Sequence, residues 1–198
     1  MNPKNVAILI FDGVELLDFA GPFEVFSAAR PALESDEKLL NVFTVAESLD
    51  PITCNNPLTV MPKYTLDDCP SVDILLIPGG QGTRTAIERP ALIGWIAARS
   101  QAAELTTSVC TGSFLLAQAD LLDGKAATTH WGSIQRMRNA FPGIDVQEDV
   151  RWVDEGAFIT SAGVSAGIDM ALHVVQRLFG REAAAATARH IEYDHWTE

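Results

Sequence analysis

The stretch Ser108-Val109-Cys110-Thr111-Gly112 has the form small–x–nucleophile–x–Gly. It follows the β-rich run "LTTSV" and precedes the apolar "GSFLLAQADLL". This is the pattern of a nucleophile elbow, a tight strand-to-helix turn that displays one side chain. A corner residue of this kind is held at an unfavourable backbone angle. The helix that follows aims free amides and a positive dipole end at the sulfur, which predicts a lowered thiol pKa and a thiolate. That thiolate is both the reactive and the oxidisable form. Cys54 and Cys69 have no such context and read as small core residues.

A nucleophile needs a proton manager and a place for negative charge. In "DILLIPGGQGT" the pair Gly79-Gly80 directly follows a strand, so the Gly80 amide can approach a ligand closely; with the Thr111 amide it makes a two-donor hole. Three carboxylates after the first strand are candidate proton carriers: Asp12, Glu15 and Asp18. Asp18 has an alternative role as a helix cap before "AGP". His130 in "ATTHW" either lines the pocket or is hydrogen-bonded near a turn. His173, inside an apolar helix, reads as a core or interface residue, and His195 as solvated. His190 and Glu192 suggest a Cys–His–Glu triad, but two residues apart on a continuous helix they point to different faces. In "GVSAGID" Ser165 is a natural N-cap and Asp169 suits the helix dipole, while the backbone at Val164 can wall the pocket.

These residues must be positioned by strands. Short apolar runs predict buried parallel strands at Val6–Phe11, Val42–Ala46, Asp73–Gly80, Leu105–Val109 and Phe158–Gly163. Helices are predicted at Phe23–Ala29 with Pro22 in the first turn, at Pro90–Arg99, Gly112–Leu122, Ile168–Phe179 and Glu182–Tyr193. Antiparallel additions are expected around Thr53–Pro62 and Val150–Val153, and Pro31–Lys38 reads as a surface loop. The alternation predicts an α/β fold: a mostly parallel central sheet with helices on both faces, organised as one domain over residues 1–198. In such sheets ligands sit beyond the carboxyl ends of the strands, where Asp12–Asp18, Gly79–Thr83, Cys110–Gly112 and Gly163–Gly167 fall.

Composition narrows the function classes. A net charge of −12 repels phosphate backbones, so nucleic-acid binding is not expected. No run is long enough to span a membrane, and the six-residue apolar run stopped by Asp12 is too short for a secretory signal. Three sparse cysteines fit neither a disulfide framework nor a zinc site and suggest a reducing, cytoplasmic setting.

Four segments together resemble the ThiJ/PfpI superfamily, a class I glutamine amidotransferase-like group, and more closely its isocyanide hydratase-like branch. They are "LLDFAGPFEVF" (16–26), "DILLIPGGQGT" (73–83), "TSVCTGSFLLAQADLLDGKAATTHW" (107–131) and "ITSAGVSAGIDMAL" (159–172). The resemblance implies a flavodoxin-like sandwich and a homodimer, with Cys110 as nucleophile and Asp18 as its acidic partner. It places oxyanion donors on the amides of Gly80 and Thr111, with Gly79, His130 and Val164 around the substrate. The implied reaction is hydration of an organic isocyanide to an N-substituted formamide through a Cys110 thioimidate, with no metal or organic cofactor. The protease-like branch has histidine after the cysteine; Thr111 stands there, which removes the usual peptidase base. The sensor domains of AraC-type regulators are also similar. Those carry a helix-turn-helix pair for which 198 residues leave no room, so a regulator reading needs a separate partner. The alternatives are a ligand or redox sensor, a glyoxalase-like enzyme with His130 as base, and an amidase- or peptidase-like enzyme.

Overall fold

The computed structural model describes residues 2–195. The strands are β1 (Lys4–Leu9), β2 (Leu40–Ala46), β3 (Ile52–Thr53), β4 (Thr59–Val60), β5 (Tyr64–Thr65), β6 (Ile74–Ile77), β7 (Leu105–Val109), β8 (Ala126–Ala127), β9 (Asp145–Val146), β10 (Trp152–Asp154) and β11 (Phe158–Ser161). The helices are α1 (Leu16–Ala28), α2 (Thr83–Ala86), α3 (Pro90–Ala102), α4 (Gly112–Gln118), α5 (Ile134–Ala140), α6 (Ala166–Phe179) and α7 (Arg181–His190).

One sheet of seven strands runs in the order β10-β11-β7-β6-β1-β2-β5, and only β10 is antiparallel to its neighbour. All four residues of β6 and Val6–Leu9 of β1 are buried, as strands covered on both faces must be. Helices α1, α6 and α7 pack with one another, and α3 and α2 pack on α4. Each Val, Leu or Ile so buried contributes about 1.5–3 kcal/mol relative to exposure. The expected antiparallel additions are the β3–β4 pair and β10. Residues 31–38 contain neither helix nor strand, as expected of a surface loop.

From β1 the chain steps one way to β2 and the other way through β6, β7 and β11, so the strand order reverses beside β1. A crevice forms at the carboxyl ends of strands where that reversal occurs. Register brings the ends level: Ile77 pairs with Ser108, and Ser161 with Val109. The segments after Leu9, Ile77, Val109 and Ser161 therefore converge on one place.

Several helix ends differ from expectation: α4 stops at Gln118 rather than Leu122, α3 runs on to Ala102 rather than Arg99, α6 starts at Ala166 rather than Ile168, and α1 and α7 differ as well. Helix α1 starts at Leu16, and Pro22 lies inside it rather than in its first turn. "AGP" is a packing site, not a turn: a Cβ on Gly21 would come 2.9 Å from Ile168, and one on Gly167 3.3 Å from Pro22. Pro22 has no N–H to give the carbonyl of Asp18, a local break the α1–α6 contact compensates. Helix α7 stops at His190, and Glu192 has a positive φ of 54°. The continuous helix expected through Tyr193 ends early, because Ile191 and Glu192 turn the chain back.

Candidate functional site

Cys110 sits directly after β7 and before α4 with φ 57°, in the left-handed region that costs an L-residue roughly 1–2 kcal/mol. The surroundings hold that corner from both sides. The Cys110 N–H donates to the carbonyls of Ser161 and Ala162 at 3.1 and 3.2 Å, extending the β7–β11 ladder. Its carbonyl accepts the hydroxyls of Thr129 at 2.9 Å and Ser113 at 3.1 Å. Thr129 belongs to the "ATTHW" segment, so that segment braces the elbow.

Asp18 lies in the first turn of α1 and is fully buried. It caps nothing in its own helix. One carboxylate oxygen accepts the Gly79 N–H at 3.0 Å and the other the Val164 N–H at 3.1 Å, and Asp18 is hydrogen-bonded to Cys110. Val164 presents its amide by adopting φ 55°, an outlier for a β-branched residue. Two strained corners, after β7 and after β11, thus point a thiol and an N–H at one carboxyl group. Gly79 is required by close approach: a Cβ there would stand 2.5 Å from the Thr111 nitrogen and 2.9 Å from Asp18 Oδ2.

Burial pushes the Asp18 carboxyl up to about 7, against the lowering effect of the Gly79, Val164 and Cys110 hydrogen bonds. The Cys110 thiol is pushed up to about 12, by burial first and then by the negative charge of Asp18, while the Thr111 amide opposes the shift. The lowered thiol pKa expected from the helix end is therefore corrected. With Cys110 only 6% exposed, desolvation and the neighbouring carboxylate outweigh a seven-residue helix. The two groups titrate as a pair: sulfur loses its proton most easily when Asp18 holds one.

Both donors of the expected two-donor hole, the Gly80 and Thr111 amides, are engaged. The Gly80 N–H donates to Thr111 Oγ1 at 3.0 Å, and the Thr83 hydroxyl lies 3.2 Å from that oxygen. The Gly79 amide is committed to Asp18, and the Thr111 amide to the sulfur. Gly80 would have to exchange Thr111 for an incoming anion. Its φ of 124°, and the 2.3 Å at which a Cβ would stand from the Gly13 carbonyl oxygen, explain why glycine stands there.

Of the three candidate carboxylates, only Asp18 meets the sulfur. Asp12 accepts the Thr53 N–H at 2.8 Å in a turn, and Glu15 accepts from the Asn55 side chain at 3.1 Å on the cavity wall. His130 lines the cavity and also has a structural task. Its Nδ1 accepts the Gly132 N–H at 3.2 Å, and its ring lies where a Gly163 side chain would be. His173 is not a core residue: it meets Asp154 at 2.8 Å on the strand edge. Ser165 makes no side-chain cap; its hydroxyl and Asp169 face Arg151. His190 is exposed, and neither it nor Glu192 lines the cavity, so no triad forms with Cys110. His195 is exposed beside the Tyr193 ring. Cys54 and Cys69 are buried and free, in the core as expected.

Cys110 opens on a cavity of about 340 Å³. Sequence reasoning missed Asn55, Arg84, Trp131 and Arg136 on its wall. Arg84 follows the Gly-Gly turn by four residues, a weak signal; Arg136 carried none, because α5 reaches the cavity only through the tertiary fold. Among the described residues no group of three or more His, Cys, Asp or Glu could hold a metal, and no helix is long and apolar enough to cross a membrane.

A buried carboxyl beside an elbow cysteine, at the switch point of a mostly parallel sheet, defines a class of protein. The chain belongs to the DJ-1/PfpI family, whose pattern it matches over residues 4–177. Among particular relatives it is 35% identical over 189 residues to isonitrile hydratase of Pseudomonas putida, covering 96% of this chain and 78% of that protein. It is 30% identical to the HTH-type transcriptional regulator GbdR of Pseudomonas aeruginosa, covering 98% of this chain and 52% of the regulator, so it spans about half of that protein. The crystal structure of a ThiJ/PfpI family protein from Pseudomonas syringae superimposes with a TM-score of 0.87 at 33% identity, over 98% of this chain and 76% of that one. Drosophila melanogaster DJ-1beta shares the fold, with a TM-score of 0.82 at 20% identity over 98% of this chain and all of that one.

Proposed function

We propose that the protein hydrates an organic isonitrile to an N-substituted formamide, with Cys110 as nucleophile and Asp18 as proton carrier. The carrying observation is the buried contact between the Cys110 thiol and a carboxyl group pushed up to about 7. A group with that affinity for protons takes and returns one near neutral pH. Similarity to an isonitrile hydratase supports the reading.

The thiol proton passes to Asp18 as sulfur bonds to the terminal isonitrile carbon. Asp18 returns the proton to that carbon, giving a thioimidate, R–N=CH–S–Cys110. Water adds to the same carbon: its oxygen bonds there and one proton reaches the nitrogen. The tetrahedral adduct loses its hydroxyl proton, expels sulfur and releases R–NH–CHO; the departing sulfur regains a proton. Net, one water is consumed. The Thr111 amide, already donating to sulfur, favours its departure. The buried carboxyl spares the reaction a histidine base, and no metal or cofactor enters a step. The same reading makes the protein a cytoplasmic homodimer acting on a small electrophile.

The test is direct. Reduced protein incubated with alkyl or aryl isonitriles is expected to yield formamide, with a transient mass adduct on Cys110. Absence of formamide while Cys110 stays alkylatable sinks the reading. A second reading, a ligand or redox sensor, is favoured by the similarity to GbdR. Mild peroxide oxidising Cys110 in a protein that turns over no electrophile would select it.

A further inference from the structure

Four arginines lie in ion pairs with an acidic side chain. Arg89 pairs with Glu47, Arg138 with Glu148, Arg151 with Asp169 and Arg177 with Asp154. Others are occupied differently: Arg30 donates to the Ala28 carbonyl and Arg99 lies over the Trp95 ring, both away from the Cys110 cavity. Arg84 and Arg136, both on the wall of the Cys110 cavity, have no carboxylate partner among the described residues.

Both are placed to act together. Arg136 lies over the Phe114 ring at 4.1 Å, four residues beyond Cys110 on α4. That stacking fixes one face of the guanidinium and leaves its N–H edge for another group. Burial and the positive charge of Arg84 both lower the Arg136 pKa, so the two cations feel each other across the wall. Holding two like charges together costs energy that an anion between them removes. The other formal charge on the lining is Glu15, whose carboxylate is engaged by Asn55. Two guanidinium groups against one carboxylate leave one net positive charge, which suits a monoanion rather than a phosphate dianion.

We infer that Arg84 and Arg136 form a carboxylate-binding subsite, so that the preferred substrate is a small isonitrile bearing a carboxylate. The inference rests on the isonitrile reading for its reacting group, but the anion subsite stands on its own geometry. Bidentate guanidinium–carboxylate bonds would orient the substrate with its isonitrile carbon toward Cys110.

The test separates the two parts. Binding of N-formylglycine and of its neutral amide, N-formylglycinamide, is measured calorimetrically on the whole protein, without turnover. The acid is expected to bind at least about tenfold more tightly, the order for a charge-assisted hydrogen-bonded pair. That preference is expected to vanish in the double variant Arg84→Gln/Arg136→Gln and to persist in Arg84→Lys/Arg136→Lys, which keeps both charges. Equal binding of acid and amide by the unmodified protein overturns the subsite, as does a preference that survives the glutamine variant. Turnover of isocyanoacetate against its methyl ester is read separately. Arginine-dependent binding with no formamide from either ester or acid leaves the subsite standing and removes the hydratase reading. Equal turnover together with equal binding does the reverse.

Discussion

Asp18 and Asp169 occupy matching places. Each lies in the first turn of a long helix, α1 and α6, and these helices pack against each other. Both carboxyl groups are buried. Their partners differ completely. Asp169 faces the Arg151 guanidinium and accepts the Tyr193 hydroxyl at 2.8 Å, an arrangement that compensates a negative charge. Asp18 meets no cation; it has two backbone N–H groups and a thiol. One carboxylate is held in an ion pair, and the other, buried without a cation, is left able to exchange its proton. A first-turn position therefore does not decide whether a carboxyl group is structural or chemical. The partner brought by another strand end does.

The largest contrast is expected in turnover. Asp18→Asn should lower formamide production about 10²–10⁴-fold, the range for loss of a proton-transfer group, whereas Asp169→Asn should leave it within a few-fold. Comparable losses in steady-state kinetics would erase the distinction between the two sites.

Stability against pH sharpens the same contrast. The Asp18 carboxyl, near 3.8 when unfolded, rises to about 7 in the fold. Between those values the folded protein holds a proton that the unfolded chain has released. Asp18 thus stabilises most at low pH, and its contribution is lost as pH rises through that window, at about 1.4 kcal/mol per pH unit. Denaturation of Asp18→Asn should lack this fall, so the wild-type-minus-variant difference declines by a few kcal/mol from about pH 4 to 7. A flat difference contradicts the assigned environment. The iodoacetamide rate at Cys110 should rise through about pH 7 as the pair loses its first proton, and the Asp18→Asn variant should lose that step.

Gly79→Ala places a methyl group against the Thr111 backbone and Asp18. It should cost about 2 kcal/mol by urea denaturation, since overpacking typically costs 1–3 kcal/mol. Turnover should fall more than stability explains. At the ion pair, Asp169→Asn should cost only about 1 kcal/mol, because Arg151 is half exposed and the pair is solvent-screened. The smallest effect is expected from Val164→Gly, which keeps the N–H to Asp18 and relieves the φ of 55°. Stability should change by less than about 1 kcal/mol, with turnover retained; a large loss would show that the Val164 side chain has a role of its own.

Much of this site was legible in the sequence because it is built locally. The Leu105–Val109 run, the cysteine corner and Gly112 are consecutive, so one strand-to-helix turn carries its own signature. Periodicity also placed the main strands, because residues buried on both faces are continuously apolar. The start of α1 was misplaced because Pro22 is more often a first-turn residue, and only packing against Ile168 and Gly167 sustains it within the helix. The expected thiol pKa had the wrong sign because a helix dipole is visible in sequence, whereas desolvation by surrounding layers is not.

By itself the sequence determined the cysteine corner, the Gly-Gly turn, the absence of histidine after Cys110 and a short roster of carboxylates, all set by covalent neighbours. Only the tertiary structure decided that Asp18, rather than Asp12 or Glu15, meets the sulfur, that Val164 supplies an amide 146 residues away in sequence, and that Arg84 and Arg136 share a wall. Those choices depend on register between parallel strands and on the crossing of helices, and distances of that kind are not written in any local stretch of chain.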